Sequence, residues 1–329
     1  MTKRTPPKEL LEKIAEAFQQ KEAKRRAFTE RYGHIKPPNV IRCFDNKTAS
    51  VLEGGIYFQT RDTTYYFTNV IHDHALIFLG DQFLEQEEAG PFEERHPVMQ
   101  WMQMTCDDDA AKQKQDPVDR LDRRRGVGMA WFRFAYDLYT IRDNTKLEAI
   151  LKKRLMNREK FQAARHELRV AAICIAAGFN IDFEDETDVN TSHPEFIASD
   201  RFSSTKIAVE AKSQHRNGVL GFKGGKDIVI GSEVGAKNIV LKAYKKEVSL
   251  PFYVFVDVNL PPSETEEQFQ SWLKEIYNTM ITLAHDGYAN PCPANTVFFC
   301  NDPSHFIIDR PVWTAGVFLD FFRLSKSPA

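Results

Sequence analysis

Two short apolar stretches carry three charged residues at positions where their side chains could act together. The first runs Pro194-Glu195-Phe196-Ile197-Ala198-Ser199, with an acid near its start. The second, Ile207-Ala208-Val209-Glu210-Ala211-Lys212, ends in an acid and a lysine two positions apart. Strand side chains alternate between faces, so Glu210 and Lys212 share a face and Ala211 takes the other. A polar turn from Asp200 to Thr205 separates the stretches. If they pair as a hairpin, Glu195 comes within reach of that same face. Two carboxylates and one ammonium gathered there would make a divalent-metal site with a cation beside it. The plainer alternative is an edge strand whose Glu and Lys are solvated neighbours. Against it, Glu210 and Lys212 close an otherwise apolar run that lacks the upstream polar positions of a solvated strand.

The flanking chain supplies a frame. Asn157 is a good N-cap, and Phe161, Ala164, Leu168, Ala171, Ala172 and Ile175 recur at helical spacing up to a stop at Gly178. Phe179 to Phe183 reads as a first strand, followed by the acidic turn Glu184 to Asp188. Beyond Lys212 lies a Gly-rich basic loop, Arg216 to Lys226, then a helix that Ser232 can cap, running to about Lys246. Phe252 to Val258 is a continuous apolar run of buried-strand length. Ser263 to Ala284 reads as an amphipathic helix, Thr296 to Phe299 as a strand, and Val317 to Phe322 as a last apolar segment. Helix, three strands, helix, strand implies an α/β fold with a mixed sheet covered on both faces.

This αβββαβ order, with Pro194-Glu195 on the second strand and Glu210-Ala211-Lys212 on the third, resembles the PD-(D/E)xK nuclease superfamily. Restriction endonucleases and Holliday-junction resolvases share that core. The resemblance covers roughly residues 157–258, about a third of the chain. It implies a restriction-endonuclease-like domain over residues 156–329, preceded by an α+β accessory domain over 1–155.

The resemblance also implies roles for particular residues. Glu195, Glu210 and the carbonyl of Ala211 would hold Mg²⁺ or Mn²⁺. Lys212 would orient the attacking water or help deprotonate it, and would stabilise developing charge. Glu167, in the preceding helix, would contact the metal through water or a second ion. Gln214, Arg165, Arg169, Lys223 and Lys226 are candidates for holding substrate or phosphate. The implied activity is metal-dependent endonucleolytic hydrolysis of phosphodiesters, with DNA favoured over RNA, in restriction, defence or repair. Two alternatives stand beside it: an inactive nuclease fold that binds nucleic acid or a partner, and an RNA-directed nuclease or toxin. One departure is the glutamate at 195, where the family usually has aspartate. Its extra methylene would shift a metal that demands tight octahedral geometry, and Asp188 or Asp200 could serve instead.

Composition bounds the rest. The chain has 329 residues, 42% hydrophobic and 27% charged, with a formal net charge of −2, as expected of a globular protein with a core. Charge is segregated: Arg120 to Arg169 holds fourteen Lys/Arg against six Asp/Glu, whereas Asp81 to Asp109 holds nine acids and one arginine. A basic groove for a phosphate backbone and solvated helix faces both account for this. No apolar run reaches the roughly 20 residues of a membrane span, and the charged start is unlike a secretory signal, so a cytoplasmic location is expected. Five scattered cysteines argue against a disulfide framework. His72-Asp73-His74 lacks metal-ligand spacing and reads better as satisfied histidines. In the first half the sequence suggests a helix from Lys8 to Arg31 and a hairpin of 56–60 with 64–67. It also suggests helices over 69–83 and 91–104, a mobile loop over 107–117, and a buried aromatic helix from Gly126 to Arg142. A homodimer would suit a nuclease that cuts both strands of a duplex.

Overall fold

The computed structural model describes residues 16, 19, 39–42, 49–53, 56–60, 67–112, 126–142, 144–183, 193–216, 219–220, 234–246, 248–285, 296–306 and 315–320. The helix expected over 8–31, the Glu184–Asp188 turn, and Lys223 and Lys226 of the basic loop lie largely or wholly outside these residues.

The strands described earliest in the chain are three and antiparallel, β1 (Asn39–Arg42), β2 (Ala49–Glu53) and β3 (Ile56–Thr60). β3 pairs back onto β2, with Glu53 opposite Ile56. The hairpin expected between 56–60 and 64–67 is therefore corrected: Phe67 opens a helix instead. Residues 64–66 of that expected strand lie outside the described residues.

Among the described residues six α-helices follow: α1 (Phe67–Leu79), α2 (Asp81–Glu88), α3 (Pro97–Lys112), α4 (Gly126–Ile141), α5 (Thr145–Leu155) and α6 (Phe161–Ala176). Gly80, at φ 80°, divides what the sequence suggests is one helix into α1 and α2; this left-handed conformation suits glycine. α3 continues through Asp107-Asp108-Asp109, so the loop expected from 107 is helical as far as Lys112. α4 is the buried aromatic helix expected, with Trp131, Phe134, Leu138 and Tyr139 inside. Asn157 caps a turn by accepting from the amides of Glu159 and Lys160, and α6 begins four residues later. Gly178, at φ 100°, ends it.

The second sheet has six strands in sequence order: β4 (Phe179–Phe183), β5 (Phe196–Asp200), β6 (Lys206–Ser213), β7 (Phe252–Asp257), β8 (Thr296–Asn301) and β9 (Ala315–Asp320). β4, β5 and β6 pair antiparallel, β6, β7 and β8 are parallel, and β9 returns antiparallel. The parallel steps are crossovers through α7 (Lys237–Tyr244) and α8 (Glu266–His285). Right-handed crossovers that advance in one direction put both helices on one face. That face buries Ala208, Phe252, Val254, Val256, Val297 and Phe299 against Val240, Trp272, Ile276 and Met280. The opposite face, with Phe183, Phe196, Val209 and Ala211, packs on Phe161, Ala164, Leu168 and Ala171 of α6.

The protein is thus α/β, with a mixed sheet covered on both sides. The core beneath α6 is continuous with Val70, Trp131 and Leu151 of the preceding helices, and so spans the boundary expected at 155/156. α5 also covers the sheet edge: Asn144 and Lys146 donate side-chain hydrogen bonds to the Ile181 and Phe183 carbonyls of β4, which blunts an edge open to further pairing. Among the described residues no helix is long and apolar enough to cross a membrane.

Two histidines in the helical layer are held neutral. Burial, reinforced by Arg142, lowers His74 to about 4. Burial, reinforced by Arg158, lowers His96 to about 3. His72 instead accepts a hydrogen bond from Trp131 Nε1 at 3.1 Å. A histidine whose folded pKa lies below its unfolded value stabilises the fold above about pH 6.5, and that stability is lost as pH falls. Unfolding free energy measured in urea should therefore drop between pH 6.5 and 4.5. His74→Gln should flatten this drop by about 2 kcal/mol; an unchanged slope would show that His74 is already charged in the fold.

Candidate functional site

β5 and β6 set the site by their register. Phe196 pairs with Val209 and Ile197 with Ala208, and the Glu195 amide donates to the Val209 carbonyl at 3.0 Å. Phe196 lies on the α6 face, so alternation turns Glu195 to the α7 face, which Glu210 and Lys212 also share. The three side chains meet there. Lys212 Nζ lies 2.8 Å from Glu195 Oε1 and 2.5 Å from Glu210 Oε1. A fourth charge joins from beyond the end of α7, where Lys246 Nζ donates to Glu210 Oε2 at 2.7 Å.

Backbone direction adds an oxygen. The amides of Ala208 and Gln214 donate toward β7, to the carbonyls of Pro251 and Asp257, whereas the Val209 carbonyl faces β5. Amide and carbonyl of one strand residue point the same way and alternate along the strand, so the Ala211 carbonyl is directed to the β5 side. The last β5–β6 pair is Phe196 with Val209, so this carbonyl lies past the ladder, beside Glu195.

The four charges are partly to fully buried and balance one another. Glu210 is 0% exposed, and the Lys212 side chain is 27% exposed. Burial raises the Glu210 carboxyl above the ordinary carboxylate range; Lys212 and Lys246 oppose this shift, and Glu195 adds to it. Burial also disfavours the Lys212 ammonium, but Glu210 and Glu195 outweigh it and raise its pKa. Lys212 is therefore an ammonium at neutral pH.

Other residues expected at the site are placed differently. Glu167 is clamped by Arg154, at 2.9 Å to Oε1 and 2.6 Å to Oε2. That guanidinium lies over the Phe183 ring, on the α6 face of the sheet. Glu167 is thus across the sheet from Glu210, because the buried stripe of α6 that carries it packs on the other side. Arg165 and Arg169 belong to a polar cluster between α4, α6 and the turn after β8. Arg169 pairs with Asp137 at 2.8 Å, and Arg165 contacts His305 at 3.2 Å and Asp302 at 3.7 Å. Both arginines are engaged there, away from the Glu210 face.

Gln214 stays close to the site: its side chain abuts Gly235, just before α7. Asp200, the alternative acid, accepts from the Phe202 and Ser203 amides and caps the turn between β5 and β6. The sequence reading missed Lys246. It lies three residues past Ala243, which belongs to the buried stripe of α7, so a lysine continuing an apolar stripe was the available signal.

The donor set suits a hard cation. Two carboxylate oxygens already converge on one ammonium, the Ala211 carbonyl lies alongside past the last β5–β6 pair, and Glu210 Oε1 is buried without a hydrogen bond of normal geometry. Magnesium binds through one or two carboxylates and keeps several waters, so such a set fits it. Among the described residues no group of three or more His, Cys, Asp or Glu side chains is placed to hold a metal, which makes the Ala211 carbonyl essential to the fit. The chain matches no protein-family model, no curated protein and no solved structure.

Removing one partner from a buried ion pair leaves an uncompensated charge. Lys212→Met is expected to lower the unfolding free energy by about 3 kcal/mol. The double variant with Glu195→Gln should lose less than the sum of the single losses. Strict additivity in urea unfolding would contradict the contact.

Proposed function

We propose that the protein is a Mg²⁺- or Mn²⁺-dependent nuclease that hydrolyses phosphodiesters, with DNA as the first substrate to test. The supporting observation is the convergence of Glu195 and Glu210 on Lys212, beside the Ala211 carbonyl past the last β5–β6 pair. The order α6, β4, β5, β6, α7, β7 also follows the αβββαβ order of the PD-(D/E)xK nucleases, and is the basis for reading the domain as restriction-endonuclease-like.

In this reading Glu195, Glu210 and the Ala211 carbonyl hold the cation, which would lower the pKa of a bound water and neutralise charge on the phosphate. Lys212, released from the carboxylates, turns its ammonium to the attacking water and to the charge developing on phosphorus. Released from the two carboxylates that raise its pKa, Lys212 serves in this reading to orient the attacking water or to help deprotonate it. Gln214, at the end of the same strand, is the candidate for holding substrate. In this reading the longer side chain at 195, one residue before β5, would be accommodated there.

A second reading rests on charge balance. Two carboxylates and two ammoniums form a neutral, mutually satisfied quartet, which suits a nuclease fold kept for binding nucleic acid without cleaving it. That reading predicts salt-sensitive DNA binding and no calorimetric heat with Mn²⁺.

The two part in a cleavage assay on plasmid, single-stranded DNA and RNA with Mn²⁺. The nuclease reading expects Lys212→Ala and Glu210→Ala to lose about a hundredfold or more in rate. Equal residual cleavage by wild type and both variants would overturn it.

A further inference from the structure

Glu210 has two oxygens in two different situations. Oε2 accepts a hydrogen bond from Lys246 at 2.7 Å. Oε1 stands 2.5 Å from Lys212 Nζ, which it shares with Glu195, and is buried without hydrogen-bond geometry. The two lysines differ as well. Lys212 lies on β6 itself, bridges both carboxylates and is the more exposed, at 27% against 18% for Lys246. Lys246 follows α7, continues its buried stripe, and is bonded to Glu210 in this structure.

We propose that Lys246 is a positioning and specificity-determining residue: it holds Oε2 of Glu210 so that Oε1 alone is presented to a divalent cation. The proposal rests on the metal-site reading above and deepens it by assigning the site's ion selectivity. Ca²⁺ takes six to eight oxygens and accepts carboxylates through both oxygens, whereas Mg²⁺ and similar small ions demand near-octahedral sites with few protein ligands. A glutamate tied down at one oxygen therefore favours the small ion. Freed of its tie, Glu210 can offer both oxygens, and the penalty on Ca²⁺ relaxes. Lys212 is then the exchangeable ammonium and Lys246 the fixed one.

The test is isothermal titration of the full chain with Mn²⁺ and with Ca²⁺, without nucleic acid, for wild type, Lys246→Met and Lys246→Arg. Both ions carry the same charge, so the general electrostatic effect of removing a lysine cancels in the ratio of their affinities. Wild type should bind Mn²⁺ at least about tenfold tighter than Ca²⁺, and Lys246→Met should shift the ratio toward Ca²⁺ by about tenfold, with Arg restoring much of it. A residue that only stabilises the fold would lower the melting temperature of Lys246→Met and leave the ratio unchanged, which would overturn the proposal. Wild type binding Ca²⁺ as tightly as Mn²⁺ would overturn it without any variant. Wild type binding neither ion would overturn the metal-site reading itself, and this proposal with it.

Discussion

The burial of one carboxylate constrains everything around it. Glu210 stands mid-strand at 0% exposure, beneath α7 and between apolar neighbours. An ionised group so placed is tolerable only when paired. The chain supplies one ammonium from two residues along the same strand and another from the segment after α7. The second depends on the β6–α7–β7 crossover, and Glu195 depends on β5 ending where it does. The site is therefore a product of sheet register and crossover handedness, and a one-residue slip of β5 against β6 would send Glu195 to the α6 face.

Ion pairs buried in this way are weak evidence for stability, since well-packed apolar residues often serve as well or better. A mid-sheet quartet of charges needs another reason. The metal-site reading proposes one, with the Ala211 carbonyl directed past the last β5–β6 pair beside two carboxylates.

Much of this was legible from residue order. Period-two alternation put Glu210 and Lys212 on one face, and the apolar runs at 179–183, 194–199, 207–212 and 252–258 fall on β4, β5, β6 and β7. What failed was information that local pattern does not carry. Glu167 has the sequence position of a site residue, but the face of α6 that packs on the sheet takes it to the wrong side, where Arg154 holds it. Arg165 and Arg169 look like free cations in sequence; the acids that engage them, Asp302 and Asp137, lie far away along the chain. Lys246 reads as the end of a helix until the crossover brings it back over β6. The 49–53 partner of 56–60 was missed because Ala-Ser-Val-Leu-Glu is unremarkable as a strand.

The central claim is that Lys212 stands where a divalent cation can replace it. The direct measurement is a crystal structure of the protein soaked in Mn²⁺, read for anomalous scattering. The account predicts one peak bonded to Glu195, Glu210 Oε1 and the Ala211 carbonyl, with Lys212 Nζ displaced from its present 2.5 Å contact with Glu210. Lys212 still bridging the two carboxylates at saturating Mn²⁺, with no peak between them, would contradict it.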